Sequence, residues 1–241
     1  MSWENKTNKR FVAFFDILGF KDMVMKYSHQ DVLSKLNLLK KHTLKLENFQ
    51  WNTEKTKKAN INPKPDQTKS VTFSDSIIFF SQSGTKEDFV KILVDSHTIL
   101  KVALNNGIAI KGAISFGEIT VDFVNSLFFG QPIIDAYLLH EDLHMLDVVL
   151  DHNCENQIKT FGNLEVINLN IRFDKVKMKY GSVKHTIVVS HATHEERIKV
   201  LEELYRITSG KPRMYIDNSL EYYRKVEQSI LEEIKSLKED K

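Results

Sequence analysis

Two aspartates interrupt two aromatic, apolar runs of this sequence, and they limit what the chain can fold into. Asp16 lies in FVAFFDI at residues 11–17, and Asp75 lies in VTFSDSIIFF at residues 71–80. Runs of this composition predict buried strands. An ionised carboxylate in such a strand needs a cation, several hydrogen-bond donors or a metal ion, because burial removes its hydration. The fold must therefore supply a compensating group beside each aspartate.

The residues around Asp75 indicate how the two carboxylates meet. Ser74, Asp75 and Ser76 form a polar tripeptide of the kind that turns a β-hairpin. Sequential strands commonly lie side by side, so a first strand beside this hairpin brings Asp16 and Asp75 to one end of the sheet. Carboxylate oxygens are ligands that Mg²⁺ and Mn²⁺ prefer, and we expect a divalent-cation site there. In the alternative, Asp16 caps the following helix and Asp75 only turns the hairpin.

A helix is expected to begin directly after Asp16, because apolar residues recur among charges at helical spacing from residue 18 onward. The first backbone N–H groups of a helix have no partner within it and attract anions. Those of Leu18, Gly19 and Phe20 are predicted to receive a phosphate, and Gly19 permits its close approach.

The rest of the chain alternates between strand and helix signals. A solvated loop is predicted at residues 48–70, and Thr85 with Asp88 forms a capping-box pattern at the start of a helix. Further strands are predicted at 108–119, 121–129, 147–151 and 183–189. Further helices are predicted at 86–106, 130–144, 155–161, 195–207 and 216–237.

Composition excludes several classes of protein. The 241 residues are 41% hydrophobic and 27% charged, as in ordinary folded domains. Lys+Arg 34 against Asp+Glu 32 gives a net charge of +2, and the lysine-rich segments lack interleaved aromatics, so we expect no nucleic-acid partner. The single cysteine, Cys154, cannot form an intrachain disulfide. The polar N-terminus and the lack of a long apolar stretch predict a cytoplasmic protein with no membrane contact.

Four blocks of the sequence, in order, resemble those of class III nucleotidyl cyclase catalytic domains. They are FFDILGF at 14–20, the hairpin around Asp75, KGAISFGEI at 111–119 and FGQPIIDAYLLHE at 129–141. Size and block form are most similar to the stand-alone pyrimidine nucleotide cyclases of bacterial Pycsar anti-phage defence. The resemblance implies an α+β fold, a mainly antiparallel sheet covered by helices, with C-terminal helices. It also implies one domain over residues 1–241, with a core at about 10–190 and a helical extension at about 191–241.

The resemblance further implies roles for the residues singled out above. Asp16 and Asp75 would bind two divalent cations, Mn²⁺ or Mg²⁺, with help from the Ile17 carbonyl, and the amides of residues 18–20 would hold the triphosphate. The reaction would convert UTP, or alternatively CTP, to a cyclic mononucleotide and pyrophosphate. Two copies would pair head to tail, and the product would act on a separately encoded effector that responds to cyclic nucleotides.

Positions that select the base in related cyclases differ in this sequence. Val71 stands where purine cyclases have a lysine or glutamate, and Gln131 stands at the second base-reading position. The Gln131 amide offers a donor and an acceptor, which suits uracil or cytosine. The family's asparagine and arginine correspond to about Ile134 and Leu138, so an inactive nucleotide sensor is the alternative. Candidate base and ribose contacts are Val71, Phe73, Lys111, Gln131, Asp135 and Tyr137.

A competing motif lies near the end of the last block. His140, Glu141 and His144 fit the HExxH pattern of zinc metalloproteases on a predicted helix, where positions i and i+4 share a face. A zinc site would need a third ligand, for which Glu165 is the candidate. The remote alternative is therefore a protease. The two hypotheses assign metal binding to different residues: the histidines in the protease and the aspartates in the cyclase.

Overall fold

The computed structural model describes residues 3, 6–49, 66–162, 171–179, 184–190 and 194–239. Within these ranges, eight strands form one sheet. They are β1 (Lys6–Ile17), β2 (Thr68–Phe73), β3 (Ser76–Ser81), β4 (Ile110–Asp122), β5 (Leu127–Gly130), β6 (Val148–Leu150), β7 (Ile171–Lys177) and β8 (Lys184–Ser190). The order is β2-β3-β1-β4-β6-β8-β7, and β5 also pairs with β4. The pairing of β4 with β6 is parallel and the other pairings are antiparallel. The predicted α+β fold with a mainly antiparallel sheet is confirmed.

Helices of the described chain follow or connect these strands. They are α1 (Phe20–Lys26), α2 (His29–Glu47), α3 (Lys86–Asn105), α4 (Gln131–Asp142), α5 (His152–Phe161), α6 (His194–Ile207) and α7 (Lys211–Glu239). The predicted capping box is confirmed, because Thr85 accepts from the Asp88 N–H and the Asp88 carboxylate accepts from the Thr85 N–H. A cap of this kind contributes about 1 kcal/mol to stability.

Strand β1 lies in the middle of the sheet and is buried on both faces, as its aromatic run predicts. Its alternate residues point to opposite sides. Phe11 packs on one side against Phe89 of α3, with ring centroids 4.8 Å apart. Phe14 packs on the other side against Tyr137 of α4, at 5.5 Å. Helix α4 therefore covers the face of β1 that also carries Asp16.

A buried ion pair joins three elements on the α3 side. Lys91 and Asp95, one turn apart on α3, form a salt bridge in which both side chains are fully buried. The Lys91 ammonium also donates to the Leu46 carbonyl at 2.9 Å and to Thr68 Oγ1 at 3.1 Å. The end of α2 and the start of β2 are thus fixed to the same side chain.

The C-terminal helices pack onto the segment around β6. The Tyr223 hydroxyl of α7 donates to Asp147 Oδ2 at 2.5 Å, and the Leu146 N–H donates to Ser219 Oγ at 2.8 Å. Burial raises the pKa of Asp147 to about 6, although the nearby Arg197 charge and the Tyr223 hydrogen bond oppose this. Helix α7 is therefore attached through polar groups that water does not reach.

Several predicted boundaries differ from the structure. Strand β7 was not predicted, and α7 begins at Lys211 rather than at residue 216. Helix α4 ends at Asp142 rather than at residue 144, because Leu143 adopts an extended conformation and is buried in the core. Residues 50–65 of the predicted loop lie outside the described residues. No described helix combines the length and the apolar character that crossing a membrane requires.

Candidate active site

Asp16 and Asp75 meet at one end of the sheet, as the sequence predicts. In the antiparallel pairing of β1 with β3, Asp16 lies opposite Ser76. The Ile17 N–H donates to the Asp75 carbonyl at 3.0 Å, which ties the hairpin turn to the end of β1. Ser74 takes a left-handed conformation, with φ 55°, so the turn consists of Ser74 and Asp75. Backbone pairing alone therefore sets the two aspartates side by side.

The electrostatics of Asp16 are those of a carboxylate in an anionic, partly buried place. Burial raises the pKa of Asp16 to about 6, and the negative charges of Asp75 and Glu141 raise it as well, whereas Lys111 lowers it. A positive ion beside the carboxylates would favour their charged forms. The site therefore attracts cations.

Lys111, one of the candidate base and ribose contacts, is buried in β4. It lies directly opposite Asp16 in the pairing of β1 with β4. Its ammonium donates to the carbonyls of His140 at 2.6 Å and Leu143 at 3.1 Å, at the C-terminal end of α4, where a cation is favourable. Burial lowers the pKa of Lys111 to about 8, with contributions from neighbouring ammonium groups, although Glu141 and Asp16 raise it. This lysine therefore holds the end of α4 beside the aspartates.

Glu141 is a third carboxylate at this end of the sheet, and sequence reasoning used it only in the HExxH pattern. Its side chain is 59% exposed, and its charge affects the pKa of both Asp16 and Lys111. Helical spacing could have placed Glu141 near this site, because Tyr137 and Glu141 share a face of α4 and Tyr137 packs on β1.

The predicted phosphate-binding amides are only partly available. The Leu18 N–H donates to the Ala109 carbonyl at 2.9 Å, so this amide is already hydrogen-bonded and its assignment needs correction. Gly19 has φ 73° and starts α1 without a side-chain cap. Helix α1 has only seven residues, so a phosphate here would depend on the individual amides of Gly19 and Phe20.

The proposed base and ribose contacts divide into two groups. Gln131 is exposed at the start of α4, and its Nε2 donates to Asp135 Oδ1 at 2.7 Å. With a rise of 1.5 Å per residue, Gln131 is roughly 15 Å from Glu141 along the same helix. Val71 is half-buried in β2, and Phe73 is 79% exposed beside the Asp75 turn. One chain therefore does not bring Gln131 and Asp135 to its own aspartates.

The HExxH residues do not form a zinc-binding face. Helix α4 ends before His144, so the two histidines do not share a helix. The ring of His140 is buried and bonded through Nδ1 to the Tyr137 carbonyl. Glu165 lies outside the described residues. Among the residues that the structure describes, no group of three His, Cys, Asp or Glu side chains is arranged to hold a metal ion.

No family model and no curated protein matches the chain. The adenylyl cyclase CyaB from P. aeruginosa matches with 17% identity and a TM-score of 0.53 over 78% of this chain and 96% of that chain. The guanylyl cyclase domain of RhoGC from the aquatic fungus Blastocladiella emersonii matches with 12% identity and a TM-score of 0.53 over 78% and 99%.

A third solved structure gives the same result. It is the catalytic core of a rhodopsin-guanylyl cyclase with converted specificity, in complex with ATPαS, with 12% identity and a TM-score of 0.52 over 77% of this chain and 97% of that chain. At sequence identities this low, the similarity shows a shared fold alone. The chain therefore has the class III nucleotidyl cyclase fold.

Proposed function

We propose that the chain is a pyrimidine nucleotide cyclase that converts UTP to cyclic UMP and pyrophosphate. The observation that carries the proposal is the backbone pairing that sets Asp16 and Asp75 side by side at one sheet end. Their mutual repulsion, which contributes to the raised pKa of Asp16, is what a bound divalent cation relieves. The cyclase fold and the four sequence blocks support the same activity.

Asp16 and Asp75, with the Ile17 carbonyl, are the groups that would hold two divalent cations, Mg²⁺ or Mn²⁺. All three supply oxygen ligands, which suit these hard ions. Bound ions supply positive charge to the ribose 3′-oxygen and to the leaving pyrophosphate. The amides of Gly19 and Phe20 would hold the triphosphate so that the 3′-oxygen attacks the α-phosphorus in line with the departing pyrophosphate.

The base assignment depends on Gln131. Because its Nε2 faces the Asp135 carboxylate, its carbonyl and its second N–H remain for a ligand. This acceptor and donor match N3–H and O4 of uracil, and equally the amino group and N3 of cytosine. Gln131 therefore does not choose between the two bases; we place uridylate first, with cytidylate cyclase as the alternative.

A head-to-tail homodimer would join the two halves of the site. In one chain Gln131 and the aspartates are at opposite ends of α4, so Gln131 of a second copy would read the base. The exposed apolar residues along β5 and α4 form a surface for such pairing; they are Leu127, Phe129, Ile134, Tyr137 and Leu138. We take residues 1–241 as one domain, of which residues 191–241 are the helical extension.

A nucleotide sensor without turnover is the second candidate. Ile134 and Leu138, which are 52% and 56% exposed, stand where the resemblance calls for an asparagine and an arginine, and neither can stabilise a developing negative charge. Such a protein would bind a nucleoside triphosphate and release no pyrophosphate.

Purified protein should be incubated with ATP, GTP, CTP and UTP in Mg²⁺ and then in Mn²⁺, with products identified by mass spectrometry. We expect cyclic UMP and pyrophosphate from UTP. Asp16→Ala and Asp75→Ala should each reduce turnover at least about a thousandfold while the protein stays folded, because each removes a metal ligand. Asp217→Ala, an exposed aspartate on α7, is the matched control and should leave turnover unchanged.

The outcomes separate the candidates. Full activity in either aspartate variant contradicts the two-metal site, and a cyclic purine product contradicts the base assignment. Nucleotide binding without any product favours the sensor. His140→Ala combined with His144→Ala should leave cyclisation largely intact, and loss of a peptidase activity in that variant would favour the protease.

We further propose that the product is a second messenger for a separately encoded effector in defence against phages. The support is the resemblance of the sequence blocks to anti-phage pyrimidine cyclases. In a bacterial host that carries the chain with its effector, Asp75→Ala should abolish protection in a plaque assay. If protection survives this substitution, the defence role does not depend on cyclisation.

A further inference from the structure

One face of α7 contacts residues 143–147, the segment that connects α4 to β6. Ser219 accepts from the backbone of this segment, and Tyr223 donates to a carboxylate in it. The Asn218 amide donates to the His144 carbonyl at 2.8 Å. Hydrogen bonds are directional, so these three contacts fix the position of α7 relative to the end of α4.

Tyr215, one turn before Ser219, extends the same face of α7 to Lys111. The centroid of its ring lies 4.8 Å from the Lys111 ammonium, which is within the range of a cation–π contact. Both residues are buried, with 5% and 1% of their surface exposed. Such a contact gains strength when the cation is away from water. The Tyr215 ring is therefore a favourable neighbour for this buried charge.

Lys111 lies between this ring and the candidate active site. Its ammonium donates to the carbonyls of His140 and Leu143, where α4 ends. On β4 it is directly opposite Asp16, and residues directly opposite each other in an antiparallel pair have neighbouring side chains on one face of the sheet. A displacement of the Lys111 side chain would thus change both the end of α4 and the surroundings of Asp16.

Stability of the fold does not explain why a lysine occupies this position. Taking an ammonium group out of water costs more than burying an apolar side chain of similar volume, even when the charge is well paired. The chain nevertheless buries the charge at the end of the sheet where Asp16 and Asp75 meet. A role in the geometry of the site accounts for this placement.

We propose that Tyr215 is a positioning residue of the candidate active site, because its ring holds the Lys111 ammonium where it fixes the end of α4 beside Asp16. This inference rests on the proposed function and deepens it, since α7 then contributes to the geometry of the site. Tyr215 acts through Lys111 and needs no contact with the nucleotide. Its loss should therefore affect turnover more than substrate binding.

The first test is steady-state kinetics with UTP in Mg²⁺. Tyr215→Leu should lower kcat about tenfold and change KM less than about twofold, because small displacements of reacting groups slow the chemical step. Tyr215→Phe keeps the ring and should stay within about twofold of the wild-type kcat. If thermal unfolding shows that Tyr215→Leu does not fold, Tyr215→Met, whose flexible side chain fills irregular space, takes its place.

Tyr205→Leu is the matched control for these kinetics. Tyr205 belongs to α6 of the same helical extension, and its ring lies 3.7 Å from the guanidinium carbon of Arg213, which is exposed. The substitution removes a cation–π contact that does not involve Lys111. It should therefore leave kcat and KM at their wild-type values.

The second test does not depend on turnover. Acetic anhydride acetylates accessible lysines, and mass spectrometry of peptides gives the rate at Lys111 relative to Lys225, whose side chain is 72% exposed. Acetylation of Lys111 should be about tenfold faster in Tyr215→Leu than in the wild type, because the ammonium loses the ring that covers it. Tyr215→Phe and Tyr205→Leu should label like the wild type.

Each outcome has one meaning. A wild-type kcat in Tyr215→Leu overturns the inference, and so does an equal loss in Tyr205→Leu, which would indicate a general weakening of the extension. A loss that Tyr215→Phe shares also overturns it, because the ring would not be the group responsible. If the wild type converts no nucleotide, the proposed function fails and acetylation decides the inference: faster labelling of Lys111 in Tyr215→Leu supports it, and equal labelling overturns it.

Discussion

Gly112 shows how closely β1 and β4 approach beneath the site. It lies opposite Phe15, and a Cβ atom added to it would be 2.5 Å from the Phe15 ring and 2.7 Å from the Phe14 carbonyl oxygen. Gly112→Ala should lower the free energy of unfolding by about 1–3 kcal/mol, because both the aromatic ring and the β1 backbone must move. Urea unfolding measures the loss, and adding Phe15→Leu to the same chain should recover part of it. Additive losses in the double variant would show that the ring is not the obstacle.

Single and double substitutions of the Lys91–Asp95 pair should differ in their effect on stability. Asp95→Ala should cost about 3–5 kcal/mol in the free energy of unfolding, since it leaves the buried ammonium without its carboxylate. Lys91→Met combined with Asp95→Leu should cost much less, because no buried charge remains. Thermal unfolding of both variants tests this. A double variant as unstable as the single one would show that the bonds of Lys91 to Leu46 and Thr68 matter more than the pair.

At the scale of single residues, the sequence predicted the aspartates but not their neighbours. Asp16 and Asp75 stand out because carboxylates are rare within aromatic strands. Lys111 gives no such signal, since its acceptors are carbonyls of α4 that only the packed structure brings to it.

At the scale of elements, the attachment of α7 to β6 should make stability depend on pH. The pKa of Asp147 is about 6 in the folded protein, whereas its ordinary value is 3.8. At pH values between these two, the folded state therefore binds more protons than the unfolded state. The free energy of unfolding therefore falls as pH rises from about 4 to about 6. Asp147→Asn removes the titrating group and keeps an acceptor for Tyr223.

The measurement for Asp147 is chemical unfolding of wild type and Asp147→Asn at several pH values. Relative to the wild type, the Asn variant should gain about 2–3 kcal/mol between pH 4 and pH 7, from a shift of roughly two pKa units. If the free energies of unfolding of the two proteins change with pH in the same way, Asp147 is not the group responsible for the pH dependence.

Elements with strong local signals were predicted well. The capping box of α3 and the Asp75 hairpin follow from short-range chemistry that operates whatever the rest of the chain does. Strand β7 was missed because IRFDKVK carries charges at close intervals. A strand that pairs with β8 alone, among the residues that the structure describes, tolerates such charges. The end of α4 was misplaced because the burial of Leu143 in the core is a tertiary effect.

At the scale of the molecule, the proposed dimer predicts complementation between two defective chains. If each site uses the aspartates of one copy and Gln131 of the other, a mixed dimer of Asp16→Ala and Gln131→Ala chains has one intact site. Random pairing of equal amounts should then restore about one quarter of wild-type turnover. Each variant alone gives the baseline, and turnover no higher than the mean of the two would contradict composite sites.

The order of strands across the whole sheet could not be predicted from the sequence. The parallel pairing of β4 with β6 brings together Ala113 and Val149, and nothing in either short apolar stretch specifies the other as its partner. The hairpins were predictable because their partners are adjacent in sequence.

Burial of Cys154 gives the protein a built-in chemical reporter. The thiol has no exposed surface, and burial raises its pKa well above the ordinary value, so the folded state offers no reactive thiolate. Alkylation then requires the region around α5 to open, and its rate follows the population of the open form when closing is fast. Because the chain has one cysteine, mass spectrometry of the intact protein counts these openings without any introduced label.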